Sequence, residues 1–404
     1  MIIVCEPECR GTAHEKINSA FLYGVSLAYP EEKIVFFAEE NHIAAMKDNF
    51  TRDKISLKNI EYRHFLLPEP PYERIAAYFQ YYSLLKRIFG YAGDSGCCKM
   101  FFLSANSNNL YCIKKILTRY HQDIKCGVVM HGIVETIKIK PKFTDRLKIW
   151  PYIMWFKNAL EYRSDLAVNY LMLSKRAYAN LAAYIDGNLY RKFFYMDIPY
   201  IFDQEYVKEL DPKRLIVATI GHGNPNRLID FVNLLRNKLG GLAEKNFEIR
   251  VISDSTKRIE KKLKDETAVN CVSPRKRLTR DEMDFHSKDV DYFLFLYDRD
   301  SYELTSSGAF FDALHYKTPI ITLRNPGIQY YNDLCGDIGY TRDTIDELAD
   351  ILVKLINQGN EKEKYDNFVK NIETLKETIS IEKSFHKLRQ LMEIESGNVS
   401  TEKG

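Results

Sequence analysis

The sequence lacks the patterns that mark membrane-spanning, secreted or nucleic-acid-binding proteins. Its 404 residues contain no apolar run of about 18 residues, so no membrane-spanning helix is predicted. The first residues, "MIIVCEPE", are typical of a strand and have neither the basic start nor the apolar stretch of a secretory signal. The formal net charge is +3 and no DNA- or RNA-reading motif occurs, so nucleic acid is not an expected partner.

Paired cysteines are also missing. The chain has eight cysteines, but none of them forms a C-x-x-C pair, and Cys97 and Cys98 are adjacent. This spacing predicts neither a zinc site nor a disulfide framework. A reduced, cytoplasmic protein is therefore expected.

What the sequence does have is a regular alternation of apolar, strand-like segments with helical patterns, which predicts parallel sheets in an α/β fold. The pattern restarts after a polar stretch at 203–213, and the chain is too long for one ordinary core. We therefore predict two Rossmann-like domains, 1–205 and 206–378, followed by a helix and polar tail at 379–404. The predicted strands are 2–5, 34–38, 100–104, 127–131, 168–173, 193–196, one within 211–221, 248–253, 291–296 and 319–323.

In such sheets ligands bind beyond the carboxyl ends of the strands, so functional residues should lie in loops that directly follow a strand. The stretch "SYELTSSGAFFDALHYKTPII" (301–321) meets this condition. Ser306 or Ser307 can cap a helix there, and Gly308 allows a ligand to approach the backbone closely. The free N–H groups of the helix start suit a phosphate, and Asp312 can accept hydrogen bonds from ribose hydroxyls. The alternative is a capped core helix with Asp312 at its solvent edge.

This segment resembles the donor-nucleotide motif of GT-B glycosyltransferases, in which an acidic residue of a helix is followed by a small turn and a Pro-led apolar strand. Asp312 stands where those enzymes usually have Glu. The segment also resembles the retaining subgroup with paired acidic residues, whose two glutamates are spaced one position more closely than Glu303 and Asp312. The resemblance implies two Rossmann-like domains facing a cleft, with these donor-binding residues: Glu303, Ser306, Ser307, Gly308 and Asp312.

A second strand-to-helix loop, "ATIGHGNPNRLIDF" (218–231), has Gly221 and Gly223 for close backbone approach and Arg227 at the predicted helix start. The resemblance implies that Gly223 and Arg227 hold the donor pyrophosphate, as a basic residue does at this point of GT-B enzymes. An ordinary surface arginine is the alternative. A dehydrogenase fingerprint is not matched, because the third glycine is missing. The basic run at 275–277 is interpreted as a solvated loop, with support of the donor phosphates as its alternative.

Histidines follow two of the strands predicted in the first half. "GVVMHGIVETI" places His131 at the end of a strand, and His14 follows the first strand. The spacing of Thr12 and Glu15 predicts a capping box and a helix that starts at Thr12. Imidazole can bind sugar hydroxyls or act as a base near neutral pH, so His131 and His14 are candidate catalytic residues, with Glu135 as an alternative base. The other interpretation is that these histidines have only structural roles.

Basic and aromatic residues are interleaved at 137–163, a segment that contains both tryptophans, Trp150 and Trp155. Such mixing suits contact with anionic lipid head groups. It predicts a peripheral membrane protein that acts on a lipid-linked acceptor. An interdomain core with a basic rim is the alternative.

These features predict an enzyme that transfers a glycosyl group from a nucleoside-diphosphate sugar to a hydroxyl acceptor. The acceptor would be a saccharide or lipid-linked saccharide in bacterial surface polysaccharide biosynthesis, at the inner face of the membrane. The resemblance implies catalysis without a metal or other cofactor, and "DRD" at 298–300 is interpreted as a loop. It slightly favours retention at the anomeric carbon, whereas inversion would need a base such as His131. Two alternatives stay open: a GT-B-fold nucleotide-sugar epimerase and a non-catalytic scaffold of a polysaccharide-assembly complex.

Overall fold

The chain forms two compact units, each with its own parallel sheet and its own apolar core. The first comprises Met1–Ile201, Tyr302–Ser306 and Ile379–Gly404, and the second comprises Phe202–Ser301 and Ser307–Thr378. Both were analysed in a computed structural model, which describes residues 1–69, 75–120, 123–139, 155–202, 208, 213–221, 223–242, 246–253, 256–272 and 278–393.

The sheet of the first unit has seven strands among the described residues: β1 (Ile2–Cys5), β2 (Ile34–Ala38), β3 (Ile60–His64), β4 (Lys99–Phe102), β5 (Lys125–Met130), β6 (Val168–Met172) and β7 (Phe193–Tyr195). Their order is β3-β2-β1-β4-β5-β6-β7, and neighbouring strands are parallel. Strands β1, β2 and β6 are buried along their whole length, which is why the sequence shows continuous apolar runs there instead of alternation.

Helices connect these strands, as expected for parallel crossovers. They are α1 (Glu15–Ala28), α2 (Glu40–Arg52), α3 (Ile75–Asp94), α4 (Ser107–Tyr120), a 3₁₀ helix (Gly132–Lys138), α5 (Phe156–Glu161), α6 (Lys175–Leu181) and α7 (Gly187–Tyr190). The strand order runs outward in both directions from the neighbours β1 and β4. The switch point of this sheet therefore lies between β1 and β4, where a crevice opens at the carboxyl ends of open α/β sheets.

The second unit repeats this plan with the strands β8 (Leu215–Ile220), β9 (Phe247–Ile252), β10 (Val269–Cys271), β11 (Tyr292–Phe295), β12 (Ile320–Leu323) and β13 (Gly339–Arg342). Their order is β10-β9-β8-β11-β12-β13, again with parallel neighbours. Its helices are α8 (Pro225–Leu239), α9 (Lys257–Lys262), α10 (Arg280–Ser287), α11 (Gly308–His315), α12 (Pro326–Cys335), α13 (Ile345–Gln358) and α14 (Lys362–Ile379). Here β8 and β11 flank the switch point.

Two final helices, α15 (Ile381–Ser384) and α16 (His386–Glu393), belong to the first unit. Two glycines make room for them. A Cβ atom on Gly24 would lie 2.6 Å from Ile381 Cδ1, and one on Gly127 would lie 2.8 Å from Leu391 Cδ2. Asn169 Nδ2 also donates a hydrogen bond to Leu391 O (2.8 Å). The end of the described chain is therefore part of the packing of the first unit.

The helix start predicted at Thr12 is wrong. Helix α1 begins at Glu15, and its N-cap is His14, whose φ of 56° lies in the left-handed region. Residues 11–14 form a turn instead. A left-handed residue cannot continue a right-handed helix, so the backbone at His14 separates this turn from α1.

Every strand predicted from an apolar run is present, but the edge strands β3, β10 and β13 were missed. Each lies at or next to an edge of its sheet, and β3 has no fully buried residue. An edge strand in contact with solvent does not need a continuous apolar run, so its pattern is weaker.

A substitution at Gly339 tests the pairing of β12 with β13 in the second unit. It pairs with Ile320 across β12 and β13, and a Cβ atom there would overlap Ile320 O and lie 2.6 Å from Ile320 N. Because backbone atoms cannot move aside cheaply, Gly339→Ala should destabilise the protein by about 1–3 kcal/mol or more. Thermal unfolding measures this.

The control is Gly90→Ala in α3, where a Cβ atom would meet nothing within 4 Å. This change should be neutral or stabilising, by up to about 1 kcal/mol, because Ala is the better helix former. Equal melting temperatures for the wild type and Gly339→Ala would contradict the pairing of β12 with β13.

Candidate functional site

The loop after β11 ends in a capped helix start. Ser307 is the N-cap of α11, and its Oγ accepts a hydrogen bond from Phe310 N. Tyr297, just beyond β11, shares a hydrogen bond of 2.7 Å between its hydroxyl and Ser307 Oγ. The predicted cap at Ser306 or Ser307 is thus resolved to Ser307, with Gly308 as the first helical residue. The N–H groups of Gly308 and Ala309 start this helix at the carboxyl edge of the sheet.

Asp312, in the middle of α11, is part of an ionic network. Its Oδ1 accepts a hydrogen bond from Arg280 Nη1 (2.9 Å), and the Asp312 side chain is 19% exposed. Arg280 is almost fully buried, also pairs with Asp284, and lies over the ring of Tyr316. Tyr316 in turn donates its hydroxyl hydrogen to Asp284 Oδ1 (2.7 Å). Arg280 was not predicted from the sequence, where its only visible signal is its place in the capped first turn "TRDE" of α10.

A cleft lies at the carboxyl ends of β8, β9 and β11, and its lining also includes residues of α8 and α9. It is open to solvent, and the space between its walls, including the solvent at its mouth, is about 530 Å³. Gly221 has a φ of 74°, and its position is so close to α11 that a Cβ atom would lie 3.2 Å from Ala309 Cβ. The polar or glycine residues that line the cleft are Thr219, Gly221, Gly223, Asn224, Ser253 and Tyr297.

Arg227 lies on the same edge, in the third position of α8, because the helix starts at Pro225 and not at Arg227 as predicted. Asn224 caps it by accepting hydrogen bonds from the backbone N–H of Asn226 (3.1 Å) and Arg227 (3.3 Å). The Arg227 guanidinium donates to Leu296 O (3.2 Å) and pairs with Asp298. A cation is therefore held beside the loop that follows β11.

Glu303 and Ser306, predicted as donor-binding residues, lie in the first unit. Glu303 Oε1 accepts a hydrogen bond from the Tyr184 hydroxyl (2.7 Å), and Oε2 lies 3.3 Å from Lys138 Nζ. Burial raises the pKa of Glu303, but the bonds from Tyr184 and Lys138 outweigh it, and the pKa lies below its ordinary value. Ser306 Oγ donates to Leu173 O (2.9 Å).

Glu135, the alternative base, holds the same segment in place. Its Oε1 accepts a hydrogen bond from the backbone N–H of Leu304 (2.6 Å), and its Oε2 lies 2.6 Å from Lys138 Nζ. Leu304 is fully buried in the core of the first unit. Both carboxylate oxygens of Glu135 therefore contribute to the docking of 302–306.

His131 and His14 are neighbours, with ring centroids 5.0 Å apart. His131 Nε2 lies 2.7 Å from Leu103 O, and because a carbonyl oxygen only accepts, Nε2 carries the proton and Nδ1 is the basic nitrogen. Burial and the nearby His14 lower the pKa of His131 to about 3, although the bond to Leu103 acts in the opposite direction. The His131 ring is thus neutral at physiological pH.

Two glutamates directly after β1 were missed. Glu6 is fully buried, and its carboxylate accepts hydrogen bonds from Ser104 Oγ (2.5 Å), Asn18 Nδ2 (2.9 Å) and two backbone N–H groups. Glu8 is partly buried, and its Oε1 accepts from Asn109 Nδ2 (3.0 Å). Both satisfy the strand-end condition, so position after β1 was a signal that could have found them.

Some predicted features lie outside the described residues, among them the basic run at 275–277 and most of the basic-aromatic segment, 140–154. Within the described ranges, no group of three or more His, Cys, Asp or Glu side chains could hold a metal ion. Nor does a helix in the described part of the chain have the length and apolarity needed to cross a membrane.

Comparison with known proteins gives structural neighbours only. No family model matches the chain, and no curated protein matches its sequence. A glycosyltransferase from Rickettsia africae is similar over 98% of this chain and 99% of its own, with a TM-score of 0.59 and 11% identity. A variant of TarM from S. aureus, in complex with Fondaparinux, alpha-GlcNAc-glycerol and UDP, is similar over 97% and 100%, with a TM-score of 0.58 and 11% identity. UDP-GlcNAc 2-epimerase from Neisseria meningitidis, bound to UDP-GlcNAc, is similar over 97% and 99%, with a TM-score of 0.52 and 13% identity.

These likenesses confirm the predicted fold class. The chain has two α/β domains with parallel sheets, as its GT-B neighbours do. The neighbours include both glycosyltransferases and epimerases, and sequence identities of 11% and 13% establish the fold alone. The roles of the individual site residues stay predictions.

Because Asp312 is paired with a buried arginine, removing the Arg280 guanidinium should lower the stability of the folded protein. Arg280→Met leaves Asp312 and Asp284 without the guanidinium that both contact in a largely buried setting. Breaking a buried pair by removing one partner costs about 3 kcal/mol or more, so we expect a clear fall in melting temperature.

The control is Arg324→Met, which breaks an exposed pair with Asp343 whose side chains are 52% and 65% exposed. Solvent screens such pairs, so the melting temperature should hardly change. Similar losses for both variants would argue against a buried network at Asp312.

The low pKa of His131 should make the free energy of unfolding depend on pH. Its pKa is about 3 in the folded protein against an ordinary value of 6.5, so the unfolded chain binds the proton more readily between these values. The stabilising contribution is present above about pH 6.5 and is lost as the pH falls toward 3. His131→Gln, which keeps a donor for Leu103 O, should therefore lose less melting temperature than the wild type between about pH 7 and pH 5.

The exposed His64→Gln is the matched control and should follow the wild type. If His131→Gln shows the same fall as the wild type across this range, the protonation of His131 is not linked to folding.

Proposed function

We propose that the protein is a glycosyltransferase that moves a sugar from a nucleoside-diphosphate sugar to a hydroxyl acceptor. The observation that carries this proposal is the cleft at the carboxyl edge of the second sheet. Gly221, in the lining of this cleft, lies so close to α11 that a Cβ atom on it would be 3.2 Å from Ala309 Cβ. The glycosyltransferase neighbours and the UDP bound to the TarM variant support it.

In this proposal the cleft binds the donor nucleotide. Backbone N–H groups at the start of α11 face the diphosphate, because a helix N-terminus carries partial positive charge and free donors. Gly223 allows the phosphates to approach the backbone, and Arg227 supplies a positive charge that Asp298 holds in place. Asp312, oriented by Arg280, accepts hydrogen bonds from the ribose hydroxyls.

This donor site needs no resident cofactor. The leaving diphosphate is stabilised by backbone amides and Arg227, in keeping with the resemblance to GT-B enzymes. The likeness to the paired-acid subgroup favours retention at the anomeric carbon, whereas a general base on the acceptor side leads to inversion. Analysis of the product anomer by NMR distinguishes these outcomes.

The acceptor we propose is a saccharide or lipid-linked saccharide of bacterial surface polysaccharide. The glycosyltransferase and epimerase neighbours from bacteria support this assignment. Ile139, at the border of the basic-aromatic segment, is 74% exposed. Contact of 137–163 with the inner face of a membrane stays a prediction.

A nucleotide-sugar epimerase is the second candidate, because UDP-GlcNAc 2-epimerases are among the structural neighbours. Such an enzyme uses a similar donor site but needs acid and base groups on both sides of the sugar. A new sugar nucleotide formed without any acceptor would identify it. A non-catalytic scaffold is the third possibility, and it would turn over neither kind of substrate.

A nucleotide panel tests the donor site. UDP, GDP, ADP, CDP and CMP are added in turn to the wild type, to Asp312→Asn and to Asp343→Asn, and melting temperatures are measured. One nucleotide at about 100 times its dissociation constant should stabilise the wild type by about 2.7 kcal/mol. Asp312→Asn should lose much of this shift, because a neutral amide binds the ribose hydroxyls less strongly than a carboxylate.

Asp343→Asn is the control, because Asp343 is a 65% exposed acid of the same unit and should leave the shift unchanged. If no nucleotide stabilises the wild type, the donor site does not exist and the scaffold becomes the better account.

A further inference from the structure

The outward side of α3 and α4 in the first unit carries large apolar and aromatic side chains in contact with solvent. Ile75 and Phe79 of α3 are 55% and 63% exposed, and Tyr120 of α4 is 51% exposed. Single exposed apolar residues are common, but several of them gathered with charges of one sign mark an interaction surface. We call this surface the α3–α4 face and define it by these residues: Ile75, Phe79, Lys86, Lys115, Arg119 and Tyr120.

The members on α3 lie in one line along the helix. Phe79 and Lys86 follow Ile75 by four and eleven positions, a spacing that places the three side chains above one another on the same side. The opposite side of α3 is buried in the core of the first unit, at Leu84 and Ile88. Because that side is packed, the exposed line keeps a fixed direction.

The lysines of the face contact tyrosine rings. Lys86 Nζ lies 5.0 Å from the ring centre of Tyr120, so this contact joins α3 to α4. Lys115 Nζ lies 5.7 Å from the ring centre of Tyr78 and 5.9 Å from that of Tyr82. It also donates a hydrogen bond to the Tyr78 hydroxyl (3.2 Å). A tyrosine ring holds a cation in place without cancelling its charge, so the face presents ordered positive charges among aromatic groups.

The charge of this part of the chain is almost entirely of one sign. Between residues 75 and 120 the sequence contains a single acidic residue, Asp94, at the C-terminal end of α3. The basic residues that α3 and α4 expose, wholly or in part, are Lys86, Arg87, Lys115 and Arg119. Since the whole chain has a net charge of only +3, positive charge is concentrated here. Such a concentration attracts anionic surfaces.

The described end of the basic-aromatic segment, 155–163, packs on α4. Lys114 is almost fully buried, and its ammonium group donates hydrogen bonds to the carbonyl groups of Ala159 (2.9 Å), Leu160 (2.6 Å) and Tyr162 (2.7 Å). These carbonyl groups lie at the end of α5, where a helix leaves acceptors open and favours a cation. The segment whose composition suits lipid head groups is therefore attached to a helix of the α3–α4 face.

We infer that the α3–α4 face is a docking surface for an anionic lipid membrane. Ile75 and Phe79 enter the boundary between head groups and acyl chains, where apolar and aromatic side chains are stable. Lys86, Lys115 and Arg119 contact the negatively charged head groups. The tyrosines beneath the lysines suit this boundary, because they combine an apolar ring with a polar hydroxyl. The inference does not rest on the proposed sugar transfer, and it concerns helices outside the basic-aromatic segment.

A second copy of this chain is a poorer partner for the face. In an isologous dimer the same surface of both copies meets, so Lys86, Lys115 and Arg119 would face a second set of the same cations. Like charges brought together in this way destabilise an interface. An anionic lipid surface instead has the opposite charge to the face and accepts its apolar side chains.

The test measures how the full-length protein sediments with vesicles of phosphatidylcholine, with and without phosphatidylglycerol. Binding is expected with the anionic vesicles and should weaken as salt is added, because salt screens the attraction. Lys86→Gln combined with Arg119→Gln should reduce the partition coefficient by about 10-fold or more, since each cation near an anionic surface contributes to binding. Phe79→Ser should also reduce it, by about 10-fold, because less apolar area enters the membrane.

Each variant has a matched control in the chain. Lys47→Gln combined with Lys58→Gln also removes two exposed charges from the first unit, and Lys47 lies over the ring of Tyr62 (4.4 Å) as Lys86 lies over a tyrosine. Phe285→Ser removes a phenylalanine of the second unit that is 64% exposed, almost the same as the phenylalanine of the α3–α4 face. Both controls should bind anionic vesicles as the wild type does. Melting temperatures establish that all four variants are folded.

The outcomes decide the inference. It is overturned if the wild type does not bind anionic vesicles, or if the lysine controls lose as much binding, because net charge and not position would then matter. Binding that survives both α3–α4 variants also overturns it and assigns the contact to another surface. Wild-type dimers that Phe79→Ser dissociates, without vesicle binding, would make the face an interface between copies. None of these outcomes depends on a nucleotide, so the proposed function keeps its separate test.

Discussion

Parallel pairing is the constraint on which the rest of this structure depends. Parallel strands all point the same way, so their carboxyl ends meet at one edge, and neighbouring ends are about 4.8 Å apart. Residues far apart in sequence, such as Glu6 and Ser104, or Gly221 and Ala309, are brought together by this geometry alone. Many of the candidate functional residues of each unit therefore lie near a single edge of its sheet.

Sequence patterns predicted the central strands and the start of α11 well, for a physical reason. A strand buried on both faces must be apolar at every position, and a helix start must satisfy its free N–H groups. Both requirements act on residues that are adjacent in the chain, as in "IIVC" of β1 or Ser307 before Gly308. Burial and helix capping therefore produce patterns among neighbouring residues that can be recognised in the sequence. The edge strand β3, which is only half buried, leaves a weaker one.

The polar partners were not predictable in the same way. Nothing near Asp312 in the sequence identifies Arg280 as its partner, because the two meet only when α10 and α11 are packed. Glu303 was grouped with Asp312 by the resemblance to the paired-acid subgroup, yet it lies in the first unit and bonds to Tyr184. The burial that lowers the pKa of His131 is also a product of tertiary packing and leaves no trace in the residue order.

The position of α15 and α16 has a consequence for how the chain is made. The surface around Gly24 and Gly127 is shaped for Ile381 and Leu391, which leave the ribosome only after the whole second unit has been synthesised. The contacts of Gly24 and Gly127 with these helices therefore cannot form while the second unit is still being translated. The packing of the first unit is completed by residues that the sequence of the second unit separates from the rest of the first.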